Sequence, residues 1–259
     1  MDEYGILESY PLLKRKSNTN AWQDTKSFPE ACGALFRMLV QKADMKAGQD
    51  VLDIGCGCGD STALLTDFQP RSLRGITSEP SQCSIAKARF PRIEFICADA
   101  VEYVATLTDE SVDRIVALDC MYHFHTRRKF LRDACRVLRD NGSITATDLL
   151  IDDKIYIFQR LLMRLICLLT GSPFCNFMTA QEYLENLSQA GFEGVEMDDI
   201  SLHVFPGLSD FIVLHKRELG IYGISGKWIE YLVFARVLRW WRTSKVVKFV
   251  IVHANRSNM

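Results

Sequence analysis

Between residues 45 and 150 the apolar and polar positions alternate between two periods. Short runs of β-branched and apolar residues (Val51–Ile54, Leu73–Thr77, Ile93–Cys97, Arg114–Leu118 and Ser143–Thr147) read as strands. Between them lie Ser61–Thr66, Ser81–Phe90, Val101–Leu107 and Arg128–Leu138, where apolar residues recur at helical spacing. Asp60 is the expected N-cap of the first of these helices, and Asn141-Gly142 the expected turn before the last strand. Strand and helix in strict alternation imply right-handed crossovers and an α/β fold with a doubly wound, mostly parallel sheet.

The flanks are less regular. Pro29–Ala43 predicts a helix behind a polar N-terminal arm, and Ile155–Leu169 a helix with a narrow polar strip and a wide apolar face. Thr179-Ala-Gln-Glu182 is a capping box opening a helix that runs to Gly191. Val195–Ile200 and Val246–Val252 read as two late strands returning to the sheet edge, with helical material between Trp228 and Trp241. The expected organisation is an arm and lid helix at 1–44, a core at 45–150, and a helical cap with the completing strands at 151–259.

The chain has 259 residues with formal net charge −1, so its overall field gives no reason to expect a nucleic-acid partner. Charge is uneven, however: between Lys216 and Arg256 nine Lys/Arg face two acids, Glu218 and Glu230. A basic segment interleaved with Trp and Phe could contact an anionic membrane; a solvated charged face is the plainer reading. Nine cysteines without framework spacing point to reduced thiols and a cytoplasmic setting, and the acidic start Met1-Asp2-Glu3 lacks the order of a secretory signal. The longest apolar stretch, Ile155–Leu169, is broken by Gln159, Arg160 and Arg164, short of the roughly 18–20 residues that a spanning helix needs.

The chemistry centres on Asp53-Ile-Gly55-Cys-Gly57-Cys-Gly59, a D-x-G-x-G-x-G loop directly after a strand and before a helix. Glycines there let the backbone turn tightly and approach a ligand, with helix N–H groups facing the crevice. A dinucleotide fingerprint would need a third glycine where this chain has Asp60 or Thr62, and no Lys-Ser/Thr pair completes a phosphate loop. The two loop cysteines lack a matching Cys/His pair, so no metal is expected.

The loop resembles the first motif of class I S-adenosylmethionine-dependent methyltransferases. That resemblance implies a seven-stranded Rossmann-like sheet with a helical cap over its carboxyl edge. It also implies that Asp53, Gly55, Gly57 and Gly59 hold the methionine end of S-adenosyl-L-methionine, which leaves as S-adenosyl-L-homocysteine. Gly75-Ile-Thr-Ser-Glu79-Pro-Ser-Gln82 is similar to the segment after strand 2 in the tocopherol, sterol and cyclopropane branch, implying Gln82 with Thr77 or Ser78 near the ribose. Cys97-Ala98-Asp99-Ala100 stands where the family binds adenine, which implies Asp99 with the Ala100 N–H nearby. Asp119-Cys-Met-Tyr122-His123 is similar to the E-[SA]-x-x-H segment of sterol, quinone and sugar methyltransferases, with Asp119 in place of Glu. In that segment the residue matching His123 can act as a general base, a role that suits an imidazole; the other reading of His123 is a loop histidine that shapes the pocket.

The expected activity is methylation of a small lipophilic acceptor at O, C or N. The acceptor class rests on the apolar lining expected from Phe158, Leu162, Met163, Ile166, Phe174, Phe177 and Met178, closed by an arm carrying Tyr4 and Trp22. The alternative is a non-catalytic, methyltransferase-like regulatory or partner protein. RNA or protein methylation is disfavoured, because neither a base-amine methylation motif nor an RNA-binding module is present.

Overall fold

The computed structural model describes residues 27–214 and 228–257. Seven strands form one sheet: β1 (Asp50–Ile54), β2 (Ser72–Thr77), β3 (Glu94–Cys97), β4 (Val112–Ala117), β5 (Leu138–Ile151), β6 (Phe192–Asp199) and β7 (Val247–Arg256). Their order is β3-β2-β1-β4-β5-β7-β6. The pairs β1–β2, β2–β3, β1–β4 and β4–β5 are parallel, and β7 runs antiparallel between β5 and β6. The helices are α1 (Phe28–Lys42), α2 (Asp60–Leu65), α3 (Pro80–Arg89), α4 (Ala100–Thr106), α5 (Arg127–Val137), α6 (Ile157–Thr170), α7 (Ala180–Gln189), α8 (Ser201–Leu214) and α9 (Trp228–Ser244).

β1 is buried along its whole length, as a central strand covered on both faces must be. Leu52, Ile54, Ile76, Ile115 and Ala117 from the strands pack with Val104, Phe130, Leu131, Tyr183 and Leu187 from the helices. The late strand pair returns to the sheet edge as expected, although both strands begin and end differently from the sequence reading. The expected turn at Asn141-Gly142 is instead an irregularity inside one long β5. Val112 pairs with Leu138 and Arg114 already pairs with Ser143, so the chain bulges there, with Asn141 at φ 62, and does not reverse.

Two helix readings change. Asp60 does not cap α2: Gly59, at φ 89, stands at the N-cap without a side-chain bond, and the Asp60 carboxylate pairs in bidentate fashion with Arg89 at 2.7 and 2.9 Å. Helix α8, for which the sequence reading proposed no element, runs through Pro206 and Gly207, two residues that disfavour a helix interior. Thr179 and Glu182 do form the capping box of α7.

The chain divides into two compact units, residues 39–200 with 245–259, which carry the sheet, and the remainder up to 38 with 201–244. In the second unit Phe205 packs on Trp241 at 5.6 Å between ring centroids, Ser209 donates to the Ala235 carbonyl at 3.2 Å, and Arg239 pairs with Asp210. On α9, Ala235, Leu238 and Trp241 are buried while Arg236, Arg239 and Arg242 are exposed. Tyr4 and Trp22 of the arm, and Lys216, Arg217 and Lys227 of the basic segment, lie outside the described residues. Among the described residues no helix is long and apolar enough to cross a membrane, and no group of three or more His, Cys, Asp or Glu could hold a metal ion.

Candidate active site

Strand register brings the chemistry to one edge of the sheet. Ile54 is level with Ile76 on one side and Ala117 on the other, and Thr77 is level with Cys97. The loops that follow β1, β2, β3 and β4 therefore leave the same carboxyl edge side by side, which is where doubly wound sheets bind ligands.

The glycine loop is pinned to β2, with the N–H groups of Gly55 and Cys56 both donating to the Ile76 carbonyl at 2.9 Å. Gly55 sits at φ 73 with its α-carbon against Cys120, where an added Cβ would come within 2.6 Å of Cys120 Cβ. Gly57 is different: at φ 55 it faces open space, and nothing lies within 4 Å of an added Cβ. The loop thus offers bare backbone at Gly57 and is wedged at Gly55 against Cys120 of the segment after β4.

Just before the loop, near the end of β1, lies Asp53, 1% exposed. Its Oδ2 accepts from Ser61 at 2.9 Å and Thr62 at 2.7 Å, whereas Oδ1 is buried without a partner. Burial raises this carboxyl to about 6, opposed by the two hydroxyls. An unpartnered buried carboxylate oxygen at the strand end that leads into the glycine loop suits a cationic group such as an α-ammonium.

The next two loops engage part of their polar groups locally. Buried Thr77 donates to Gln82 Oε1 at 2.9 Å, so the two expected ribose contacts are brought together, with Ser78 exposed beside them. Glu79 is spent partly on α3, accepting from the Ser81 N–H at 3.4 Å and hydroxyl at 3.0 Å. Asp99 is the N-cap of α4: its Oδ1 accepts from Val101 at 2.8 Å and Glu102 at 3.0 Å, and Ala100 is buried behind it as the first helical residue.

The segment after β4 carries the candidate base. Asp119, at φ 55, donates its N–H to Thr147 Oγ1 at 2.7 Å and accepts from the Tyr122 hydroxyl at 2.8 Å. His123 closes a 3-10 turn (Met121–His123), its ring 4.4 Å from that of Tyr122. Its Nδ1 lies 3.0 Å from the hydroxyl of buried Ser172, two residues beyond the end of α6. Partial burial lowers the imidazole from its ordinary value, opposed by the charge of Asp119, and so favours the neutral form that a base requires.

Below this turn lies a network that sequence reasoning missed. Buried Asn176 donates to the carbonyls of Tyr122 at 2.9 Å and Phe124 at 2.8 Å, clamping the turn on both sides of His123. Arg127 donates to the Asn176 carbonyl at 3.0 Å and pairs with Asp148 of β5, which also accepts from Tyr183 at 3.0 Å. Arg127 and Asp148 are 3% and 0% exposed in their side chains. Asp148 in the apolar run Ile144–Ile151 was the available signal, since a buried acid there needs a cation.

The expected acceptor lining is only partly assembled. Met163 and Phe177 are buried, and Met178 packs on the core. Phe158 and Leu162 instead point outward, because α6 contacts the body through the narrow strip of Gln159, Met163 and Cys167.

Residues 51–142 match a family described as a methyltransferase domain. Residues 51–142 thus carry a methyltransferase domain, and S-adenosylmethionine is its methyl donor. A methyltransferase of Streptomyces halstedii is 28% identical over 204 residues, 71% of this chain and 68% of that one. The 27-O-demethylrifamycin SV methyltransferase of Amycolatopsis mediterranei is 28% identical over 192 residues, 71% of this chain and 69% of that one. Among solved structures, a cyclopropane synthase of Mycobacterium tuberculosis superimposes with a TM-score of 0.75 at 17% identity, covering 93% of this chain and 90% of that one, which shows the shared fold.

Proposed function

We propose that this methyltransferase transfers a methyl group to a hydroxyl of a small lipophilic metabolite, with residues 45–150 holding the cofactor. The observation that carries the cofactor assignment is the buried, partnerless Asp53 Oδ1 near the end of β1, two residues before a glycine loop whose Gly57 faces open space. In this reading Asp53 receives the methionine ammonium while Gly55, Gly57 and Gly59 leave room for the chain. Thr77, Ser78 and Gln82 flank the ribose. Asp99 offers its second oxygen to the adenine amine, with Ala100 alongside, and Asp119 borders the reacting end.

When bound, S-adenosylmethionine supplies a sulfonium methyl group that departs to a nucleophile in line with the carbon–sulfur bond. The protein's task is then to align the acceptor, exclude water and take a proton. Alignment of this kind lowers a barrier by up to about 7–11 kcal/mol. His123 is the base: Ser172 engages Nδ1, leaving Nε2 to accept the hydroxyl proton of the acceptor. A hydroxyl acceptor accords with the O-methylation named for the rifamycin relative. A lipophilic one accords with the Tyr122 ring beside His123, 4.4 Å between ring centroids.

Calorimetric titration of S-adenosylmethionine and S-adenosylhomocysteine into wild-type and Asp53→Asn protein tests the cofactor site. Wild type should bind both at micromolar concentration, with the variant at least tenfold weaker. Methyl transfer to a panel of lipophilic alcohols and phenols tests the acceptor class. Binding without transfer to any of them, or transfer only to amines, would overturn the acceptor reading alone.

A further inference from the structure

Helix α6 is turned inside out relative to an ordinary surface helix. Over Ile157–Thr170 only Gln159, Met163 and Cys167 are buried, a single row at i, i+4, i+8. The wide apolar face, Ile157, Phe158, Leu161, Leu165, Leu168 and Leu169, points away from the body, with Leu168 79% and Ile157 75% exposed. On a wheel of 100° per residue these six fall within about 120°, an unbroken stripe opposite the anchoring row. Arg160 and Arg164 lie together along one flank of the stripe, and the helix contains no acid. Their guanidinium groups sit over the Phe174 ring at 6.0 and 5.3 Å, which holds them at that flank. The Tyr156 and Phe158 rings stack at its amino end, 6.0 Å apart and within 10° of parallel.

We propose that α6 docks this enzyme on an anionic lipid surface. The stripe enters the boundary between headgroups and acyl chains, and Arg160 and Arg164 meet the lipid phosphates. Three features select this occupant. A continuous apolar stripe with flanking arginines and aromatic residues at one end is the pattern of a helix lying in a membrane interface. The charge is complementary to anionic headgroups and unopposed on the helix; of the two acids just before it, Asp152 is already engaged by Lys248 at 3.5 Å. A second copy fits less well: a 14-residue helix is a ridge about 21 Å long and about 10 Å wide, small beside the roughly 800 Å² per partner of a stable interface. A two-fold contact through the ridge would also crowd the same two arginines from both copies, with no acid on α6 to pair them. The docked helix ends two residues before Ser172, the hydrogen-bond partner of His123. Docking therefore holds the active-site turn close to the lipid surface.

The test is co-sedimentation of the full chain with phosphatidylcholine vesicles, with and without added phosphatidylserine. Wild type should partition to the mixed vesicles and be released by salt, since exposed charges are screened. Leu165→Asp/Leu168→Asp, on exposed positions, should lose at least tenfold in partitioning while keeping its circular dichroism and its affinity for S-adenosylhomocysteine. Arg160→Gln/Arg164→Gln should lose only the increment due to phosphatidylserine, about fivefold for each arginine. Arg236→Gln/Arg242→Gln on α9 is the comparison variant and should bind as wild type does. The proposal is overturned if wild type stays in the supernatant with mixed vesicles, or if the α9 variant abolishes binding and the leucine variant does not. It is equally overturned if light scattering shows a wild-type dimer that the leucine variant converts to monomer without any vesicle binding. Because S-adenosylhomocysteine affinity is measured in parallel, failure of docking is distinguishable from failure of the cofactor site.

Discussion

Ser172 Oγ lies 3.0 Å from His123 Nδ1, joining the residue after the α6 C-cap to the turn that follows β4. A serine hydroxyl can donate or accept, so the direction of this bond sets which tautomer Nε2 presents. If Nδ1–H donates to Ser172, Nε2 is the free acceptor, as a general base requires. Nitrogen-15 shifts of the imidazole should therefore report mainly the Nδ1–H tautomer in wild type, a mixture in Ser172→Ala, and recovery in Ser172→Thr. Once an acceptor is in hand, His123→Ala should lower kcat by roughly 10²–10⁴. In wild type the rate should rise with pH through an imidazole titration below 6.5, because the base must be neutral. An unchanged tautomer ratio in Ser172→Ala would remove Ser172 from the mechanism and leave His123 to be judged on its own variant.

Asp53 gives the cofactor site a sign that can be checked. Its carboxyl is raised to about 6 because it is buried with one oxygen unpartnered. A raised carboxyl binds its proton more tightly in the folded than in the unfolded chain, so the ligand-free fold gains stability as pH falls through 6 toward the ordinary carboxylate range. Cofactor binding runs the other way, since the ammonium needs the ionised form. Affinity for S-adenosylmethionine should weaken by about tenfold per pH unit below 6, while thermal stability of the free protein increases. Asp53→Asn should flatten both slopes. A wild-type affinity that is level between pH 5 and 7 would place the ammonium elsewhere.

Much of this site could be read from the chain because it depends on short-range patterns. The run Val51–Ile54 followed by three glycines, and the acids after β3 and β4, occupy fixed offsets from strand ends, so strand prediction alone carried them to one edge of the sheet. What escaped depends on long-range pairing. Ser172 is 49 residues from His123, and Asp148 is 35 residues from Tyr183, and no periodicity links either pair. The orientation of α6 escaped for a related reason. Its sequence shows a wide apolar face, but which face meets the body is decided by Gln159, Met163 and Cys167 finding their places, which the pattern does not specify. Asp60 shows the opposite failure, a strong local preference for capping overridden by a bidentate partner 29 residues away.

Asp99 has two jobs that substitution can separate. Its Oδ1 caps α4 through two backbone N–H groups, and its second oxygen is the one assigned to adenine. Loss of an N-cap costs about 0.5–2 kcal/mol, whereas Asn caps nearly as well as Asp. Asp99→Ala should therefore lower both stability and cofactor affinity. Asp99→Asn should keep stability within about 0.5 kcal/mol and still weaken binding, because the amide can turn a donor toward the adenine amine. Denaturant titration and calorimetry on the same two proteins check this. If Asp99→Asn binds as wild type does, Asp99 is a cap only.

The Arg127–Asp148 pair should be the most sensitive polar contact in the sheet unit. Burial pushes the Asp148 carboxyl up, opposed by the Arg127 charge, the Leu149 N–H and the Tyr183 hydroxyl. Removing one member of a buried pair strands the other charge and costs about 3–5 kcal/mol, while replacing both with apolar residues of similar volume costs far less. Asp148→Ala should accordingly destabilise by about 3–5 kcal/mol in urea denaturation. Arg127→Met/Asp148→Leu should be less destabilised than Asp148→Ala alone. The double variant tests function as well as folding, because Arg127 also holds the Asn176 carbonyl and Asn176 clamps the turn at Tyr122 and Phe124. With that tether gone, the His123 resonances should broaden and methyl transfer should fall even where the fold is retained. A stable double variant with wild-type His123 spectra would mean that Asn176 holds the turn unaided, and that the pair serves folding alone.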